Sequence, residues 1–372
     1  MTKFIDKETE ISSDFLILGA STAAMPEARK DDLMRTDPDR FPRSFEGIVC
    51  RCLERDTGID SSISGKITPS EIRDYARNAL TRTGPLNDII GTTFNQSISL
   101  GALNAPTTYQ NWVGRMTVRD YREFDRIKTS SFGRLQAGND AQNISTEGIV
   151  ESSKLDLKGG SVQLTLHEFY NSGLNSAIQR FLQSGKIVAT TINYDVYRLL
   201  TSSSGAGPTL DEDDKALFHA DHGNLVALGY GAVPSLTTVP AGCTAMISQP
   251  LPGAKDDYDI VNALPKYLIC SGAQKYAAEN AVAKNLPANS RNDISVIVDG
   301  HLDIYDSYGW YLAADPVQVD TISLVTLESM PSPVIKFEGS IPNTGGSISW
   351  RIYHSWGLLA GDYRGLYRNA GH

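Results

Sequence analysis

Leu174, Ile178, Phe181, Leu182, Val188, Ile192, Val196 and Leu199 recur at intervals that place side chains on one face of an α-helix. At 1.5 Å per residue a helix over 174–200 spans roughly 40 Å. Gly185 weakens it midway, and the run Ser202 to Pro208 (SSSGAGP) stops it. Gln179, Lys186 and Arg198 occupy the other side, so one face is wet and the other must lie on further elements.

The flanking segments say what those elements are. Before the helix, Val162, Leu164 and Leu166 alternate with Gln163, Thr165 and His167, the pattern of a half-buried strand. Upstream lie a mixed, slightly basic stretch at 119–134 and a polar segment from Gln136 to Ser153 rich in Gly, Asn and Asp. Together these predict a two-stranded excursion over 119–170 with a polar tip. An isolated hairpin is marginal in water, so such an excursion asks for a partner surface. Residues 86–118 mix Phe94, Leu100, Leu103, Tyr109 and Trp112 with Gly, Pro and Asn, and read as short irregular pieces packed on a body.

Near the N-terminus, 44–56 suits a short helix. Thr68, Pro69 and Glu71 mark the start of another, with Ile72, Tyr75, Ala76 and Leu80 on one face. Beyond the long helix, strands are expected at 267–270, 294–298, 320–327 and 347–359, and helices at 257–263 and 273–285. The fold class is α+β.

Composition sets the partners. With 34 Lys+Arg against 43 Asp+Glu the formal charge is -9, which argues against a general nucleic-acid binder that must displace counterions from phosphate. Four cysteines, Cys50, Cys52, Cys243 and Cys270, make no disulfide framework in so long a chain and fit a reducing compartment. The apolar run Phe15 to Met25 is about half the ~20 residues a bilayer needs. It follows acidic residues rather than a cationic start, so no membrane association is expected.

The sharpest chemical cluster is Phe218 to Asn224 (FHADHGN). His219, Asp221 and His222 are zinc-ligand types, and a metal-dependent hydrolase could be centred there. Their spacing is wrong for a helical pair and no third ligand site is evident. A turn capped by Asp221, with Gly223 at positive φ and Asn224 closing it, accounts for the same residues. Asp299, Asp303 and Asp306 surround a Gly300–His301 turn and read as solvated loop acids. His354 lies in an apolar strand beside Trp356 and reads as a structural histidine. No nucleophile elbow and no phosphate loop occur, so no catalytic residue, cofactor site or metal site is assigned.

Several blocks in register resemble one family. Ala216 to Leu225 (ALFHADHGNL) is similar to the signature stretch of tailed-phage major capsid proteins of the Mu-like prophage type. Leu264 to Ile269 (LPKYLI), Val296 to Asp303 (VIVDGHLD), Trp310 to Leu324 (WYLAADPVQVDTISL) and Asp362 to Asn369 (DYRGLYRN) resemble its later blocks. Ile67 to Leu80 (ITPSEIRDYARNAL) resembles the linker helix ahead of the capsid part.

The resemblance implies the Hong Kong 97-type capsid fold. Its parts would be an N-terminal extension at 1–85, an N-terminal arm at 86–118 and an extended loop at 119–170. A peripheral domain with the spine helix would take 171–223 and 335–372, and an axial domain 224–334. It implies a non-enzymatic head protein that assembles with itself into hexamers, pentamers and a closed icosahedral shell around double-stranded DNA. Assembly would take place in the host bacterial cytoplasm, with scaffold, portal and decoration proteins as further partners. Arg126, Lys128, Arg134, Glu147 and Glu151 are the expected assembly contacts on the loop. His219, Asp221, His222, Gly223 and Asn224 form the family's turn. Lys154 and Lys158 lie in the loop region, but their context does not mark a cross-link. A phage tail component is the other structural reading.

Overall fold

The computed structural model describes residues 85–127, 150–252, 259–285, 294–341 and 347–372. In chain order these form helix α1 (Pro85–Leu103) and strands β1 (Gly114–Val118), β2 (Phe124–Ile127), β3 (Val150–Ser153) and β4 (Asp156–Thr165). Next come helix α2 (Leu166–Leu200), strand β5 (Leu225–Val226), helix α3 (Thr238–Ile247), strand β6 (Pro265–Cys270), helix α4 (Lys275–Asn285), strand β7 (Ser295–Val298) and helix α5 (Gly300–Tyr305). Strands β8 (Trp310–Ala314), β9 (Ile322–Leu327), β10 (Val334–Ile341), β11 (Ser347–Ala360) and β12 (Leu366–Asn369) complete the series. The class is α+β. The helices expected at 44–56 and 68–80, and Cys50 and Cys52, lie outside the described residues.

The chain divides into two compact units, and it passes between them within α2 and within β11. The described part of the first unit holds α1, α2 as far as Thr190, most of β4, β10 and the first half of β11. Its core is aromatic: Phe94, Phe181 and Trp350 meet with ring centroids 4.1–5.7 Å apart, Trp350 edge-on to both phenylalanines.

Helix α1 replaces the irregular pieces expected at 86–103. Its Gly, Thr, Ser and Asn content is poor helix-forming material. Phe94, Ser97, Ile98 and Gly101 are nevertheless buried at helical spacing, so packing overrides propensity. Gly185 has a positive role here. A Cβ built on it would sit 2.1 Å from the Ile98 carbonyl oxygen, and one on Gly101 would sit 2.1 Å from that of Leu182. The two glycines let α1 and α2 touch backbone to backbone. Asn95 Oδ1 accepts a hydrogen bond from the Ile335 amide (2.9 Å), tying α1 to β10.

Helix α2 begins at Leu166, eight positions before the first residue of the apolar stripe, and Thr165 ends β4. The predicted strand at 162–166 is thus the end of a longer one. β10 and the first half of β11 pair antiparallel, from Val334 opposite Tyr353 to Ile341 opposite Ser347.

The second unit is built on a sheet of order β5-β12-β8-β6-β7. β6 pairs parallel with β7 and antiparallel with β8, while β12 pairs antiparallel with β8 and parallel with β5. Helices α3 and α4 contribute Val239, Met246, Ala278 and Ala281 to a core with Leu268, Cys270, Trp310, Leu312 and Tyr367. Burial pushes the Cys270 thiol up to about 12, so it is an inert core thiol. β9 pairs parallel with β1 and antiparallel with the second half of β11. The helix expected at 257–263 is not formed in its described part. Residues 259–264 are non-helical, and Ile260 bridges to Pro250. Pro265 follows and disfavours a helical residue before it.

Candidate assembly elements and the motif turn

β2 and β3 pair antiparallel over four positions, Phe124 opposite Ser153, Asp125 opposite Ser152, Arg126 opposite Glu151 and Ile127 opposite Val150. Two of the expected contact residues, Arg126 and Glu151, are therefore cross-strand neighbours. Lys128, Arg134 and Glu147 lie outside the described residues. The base of this ribbon is pinned to its unit. The Tyr121 and Ser355 hydroxyls are 2.7 Å apart, and Ser153 Oγ donates to the Leu358 carbonyl (2.7 Å). Leu155 is buried with Val325, Leu327 and Leu359. Gly357 lies under this segment, where an added Cβ would be 2.6 Å from the Lys154 carbonyl oxygen. The Arg119–Glu328 pair (3.4 Å) is exposed on both sides and contributes little.

The Phe218–Asn224 cluster is a turn, built differently from expectation. His219, not Asp221, is the cap: its Nδ1 accepts from the Asp221 amide (3.2 Å), and one turn of 3-10 helix follows over Ala220–His222. Asp221 is unavailable as a cap because its carboxylate meets Lys215 Nζ at 2.8 Å. That hydrogen bond holds the Asp221 carboxyl below its ordinary range. Gly223 takes φ +65°, as the turn requires. Asn224 is fully buried, accepting from the His219 amide (3.2 Å) and donating to the Leu217 carbonyl (2.9 Å).

His222 is buried, with Nε2 2.8 Å from Asp213 Oδ2, its ring stacked on Tyr363 at 3.8 Å, and its carbonyl accepting from Gln249 Nε2. Burial opposes ionisation of Asp213, but hydrogen bonds from His222 and the Lys215 amide outweigh it and hold the carboxyl below its ordinary range. The zinc-ligand types are thus committed to partners within the fold. Among the described residues no group of three or more His, Cys, Asp or Glu is placed to hold a metal ion.

Of the three aspartates around Gly300–His301, Asp303 is exposed, as expected of a solvated acid, though on α5 rather than a loop; Asp299 and Asp306 are not. Asp299 is buried and caps α5 by accepting from the His301 amide (3.0 Å). A relay ends on it: Trp112 Nε1 donates to the Tyr197 hydroxyl, Tyr197 to Thr108 Oγ1, and Thr108 to Asp299 Oδ2, which also accepts from Asn193 Nδ2 (2.8 Å). Burial would raise the Asp299 carboxyl, yet donors from Thr108, Asn193 and His301 bring it below its ordinary range. Asp303 accepts from the amides of Gly272 and Ala273. Asp306 accepts from the Tyr311 hydroxyl (2.6 Å) and from Arg368 Nη2 (2.9 Å).

Arg364 and Arg368, which sequence reasoning did not single out, are buried in this unit. Arg364 reaches Glu212 (3.1 Å), Asp362 (3.0 Å) and the Pro250 carbonyl (2.8 Å). Their only sequence signal was their place in the block Asp362 to Asn369. Nothing in its pattern separates a buried arginine from a surface one.

Comparison with known proteins gives one family match: a family model described as phage capsid protein fits residues 150–369. Among solved structures, the chain is similar to the cyanophage Pam1 capsid asymmetric unit, at 12% identity and TM-score 0.43 over 69% of this chain and 89% of that one. It is also similar to the capsid of cyanophage P-SCSP1u, at 11% and 0.46 over 71% and 88%. The procapsid of bacteriophage JBD30 matches at 11% and 0.44 over 77% and 76%. No curated protein matches the chain.

Proposed function

The chain belongs to the phage capsid protein family and is a virion component; from that premise we propose that it is the major head subunit, whose copies close into the icosahedral shell around a double-stranded DNA genome. The observation that carries this is the family match over 150–369. The fold we assign is the Hong Kong 97-type. The β2–β3 ribbon is its extended loop, α2 its spine helix, 171–223 with 335–372 its peripheral domain and 224–334 its axial domain.

Assembly is the mechanism. Identical subunits that meet through heterologous contacts close into rings when the rotation between them allows it, and rings of five and six close a shell. Among the described residues the ribbon has four pairs, and a two-stranded ribbon is marginal alone in water. Lying over a neighbour would give it the buried area it lacks. Its mixed charges, Arg126, Lys128 and Arg134 against Glu147 and Glu151, would set register more than affinity. The formal charge of -9 suits a container that does not grip packaged DNA. Assembly is assigned to the host cytoplasm, with scaffold, portal and decoration proteins as candidate partners.

The test is protein analysis of particles purified from cells in which the phage encoding this chain has been induced. As the major subunit, this chain is the most abundant particle protein by mass spectrometry. Its presence at a few copies per particle overturns the assignment.

A further inference from the structure

Residues 223–254 contain no Asp, Glu, Lys, Arg or His, in a chain with 21% charged residues. Much of the segment is on the surface. Tyr230 is 87% exposed, Leu228 67%, and Val233 and Leu236 half exposed; Pro240, Ala241, Thr244 and Ser248 carry the uncharged face on along α3. Depletion of charge is part of the compositional mark of the centre of a protein interface. Large exposed apolar patches on soluble chains mark sites that become covered.

The segment is also held rigid. The Gly229 amide donates to the His372 carbonyl (2.8 Å), and the Ala232 amide to Asn369 Oδ1 (3.0 Å). The Ala232 carbonyl accepts from Trp310 Nε1 (2.9 Å), and the Val233 carbonyl from Thr238 Oγ1 (3.0 Å). Gly231 comes so near the chain end that an added Cβ would lie 2.6 Å from the Gly371 amide nitrogen. Backbone groups of the strap 228–233 make these bonds, so its side chains are free to face outward from a fixed frame. Presenting apolar side chains from a fixed frame lowers the ordering cost of binding.

We infer that the strap at 228–236, with the uncharged face of α3, is a contact surface for a second copy of this chain. The electrostatics select that occupant. Copies carrying -9 each repel, and an uncharged face is where two of them can meet at least cost. Nucleic acid would call for cations, and the segment has none.

This inference rests on the capsid reading, and the test separates the two. The full-length wild type, a Tyr230→Asp/Leu236→Asp variant, a milder Tyr230→Ser variant and a control, Val317→Asp, are compared by sedimentation velocity and circular dichroism. Val317 is 92% exposed and lies outside the strap. The expected result is assembly of the wild type and the control. The double variant associates at least about tenfold more weakly, with an unchanged melting curve. If the double variant unfolds, Tyr230→Ser decides by the same criterion, since it leaves the strap's backbone bonds in place. Assembly of the strap variants like wild type overturns the inference alone, as does loss of assembly in the control. A wild type that never associates on its own overturns this surface, while the particle analysis above decides the capsid reading separately.

Discussion

At the scale of single residues, two buried positions carry predictions that surface chemistry would not. Gly185 faces the Ile98 carbonyl across the α1–α2 contact, with no room for a methyl group. Gly185→Ala gains helix propensity, about 1 kcal/mol, and an overpacking cost of about 1–3 kcal/mol or more opposes it. Because the neighbouring atom is backbone and cannot swing aside, the cost wins. The variant is expected to unfold at lower denaturant than wild type. His354 is buried, and desolvation pushes its imidazole down to about 4 from an ordinary 6.5. The unfolded chain therefore takes up a proton as pH falls through 6.5, while the folded chain does so only near 4. The stability this site contributes is complete above pH 6.5 and is lost as pH falls toward 4. It amounts to about 2 kcal/mol between pH 7 and pH 5. Urea unfolding at those two pH values is expected to show that loss in wild type and a smaller one in His354→Gln.

At the scale of elements, the register of the β2–β3 ribbon is open to a charge swap. Arg126 stands opposite Glu151, so Arg126→Glu puts like charges across the ladder and weakens it by about 0.2–1 kcal/mol. Adding Glu151→Arg is expected to restore the pairing, read as recovered protection of the 124–127 amides in hydrogen exchange. If the double variant is no better than the single, the register is wrong.

The elements also show what the sequence made legible. The apolar stripe of α2, the short apolar run of β6, the strand patterns of β7, β9 and β11, and the glycine turn at 223 follow from local periodicity and backbone chemistry, and sequence reading found them. Helix α1 was hidden because Phe94, Ile98 and Gly101 are selected by what they touch, not by propensity. The cap at His219 was missed because Lys215, six positions away, takes the carboxylate of Asp221. Asp299 and Asp306 read as surface acids because their partners lie far off in sequence, at Thr108, Asn193 and Arg368.

At the scale of the whole molecule, the chain holds features that a self-contained protein does not need. The β2–β3 ribbon is pinned at its base, and an uncharged, apolar strap is fixed in place with its side chains exposed. Both make sense if copies of the chain complete one another. Among the described residues no helix is long and apolar enough to cross a membrane. The most direct test is electron microscopy of the full-length protein, expressed alone and purified by size exclusion. The account predicts five- and six-fold rings or closed shells. A preparation of monomers and two-fold dimers alone would contradict it.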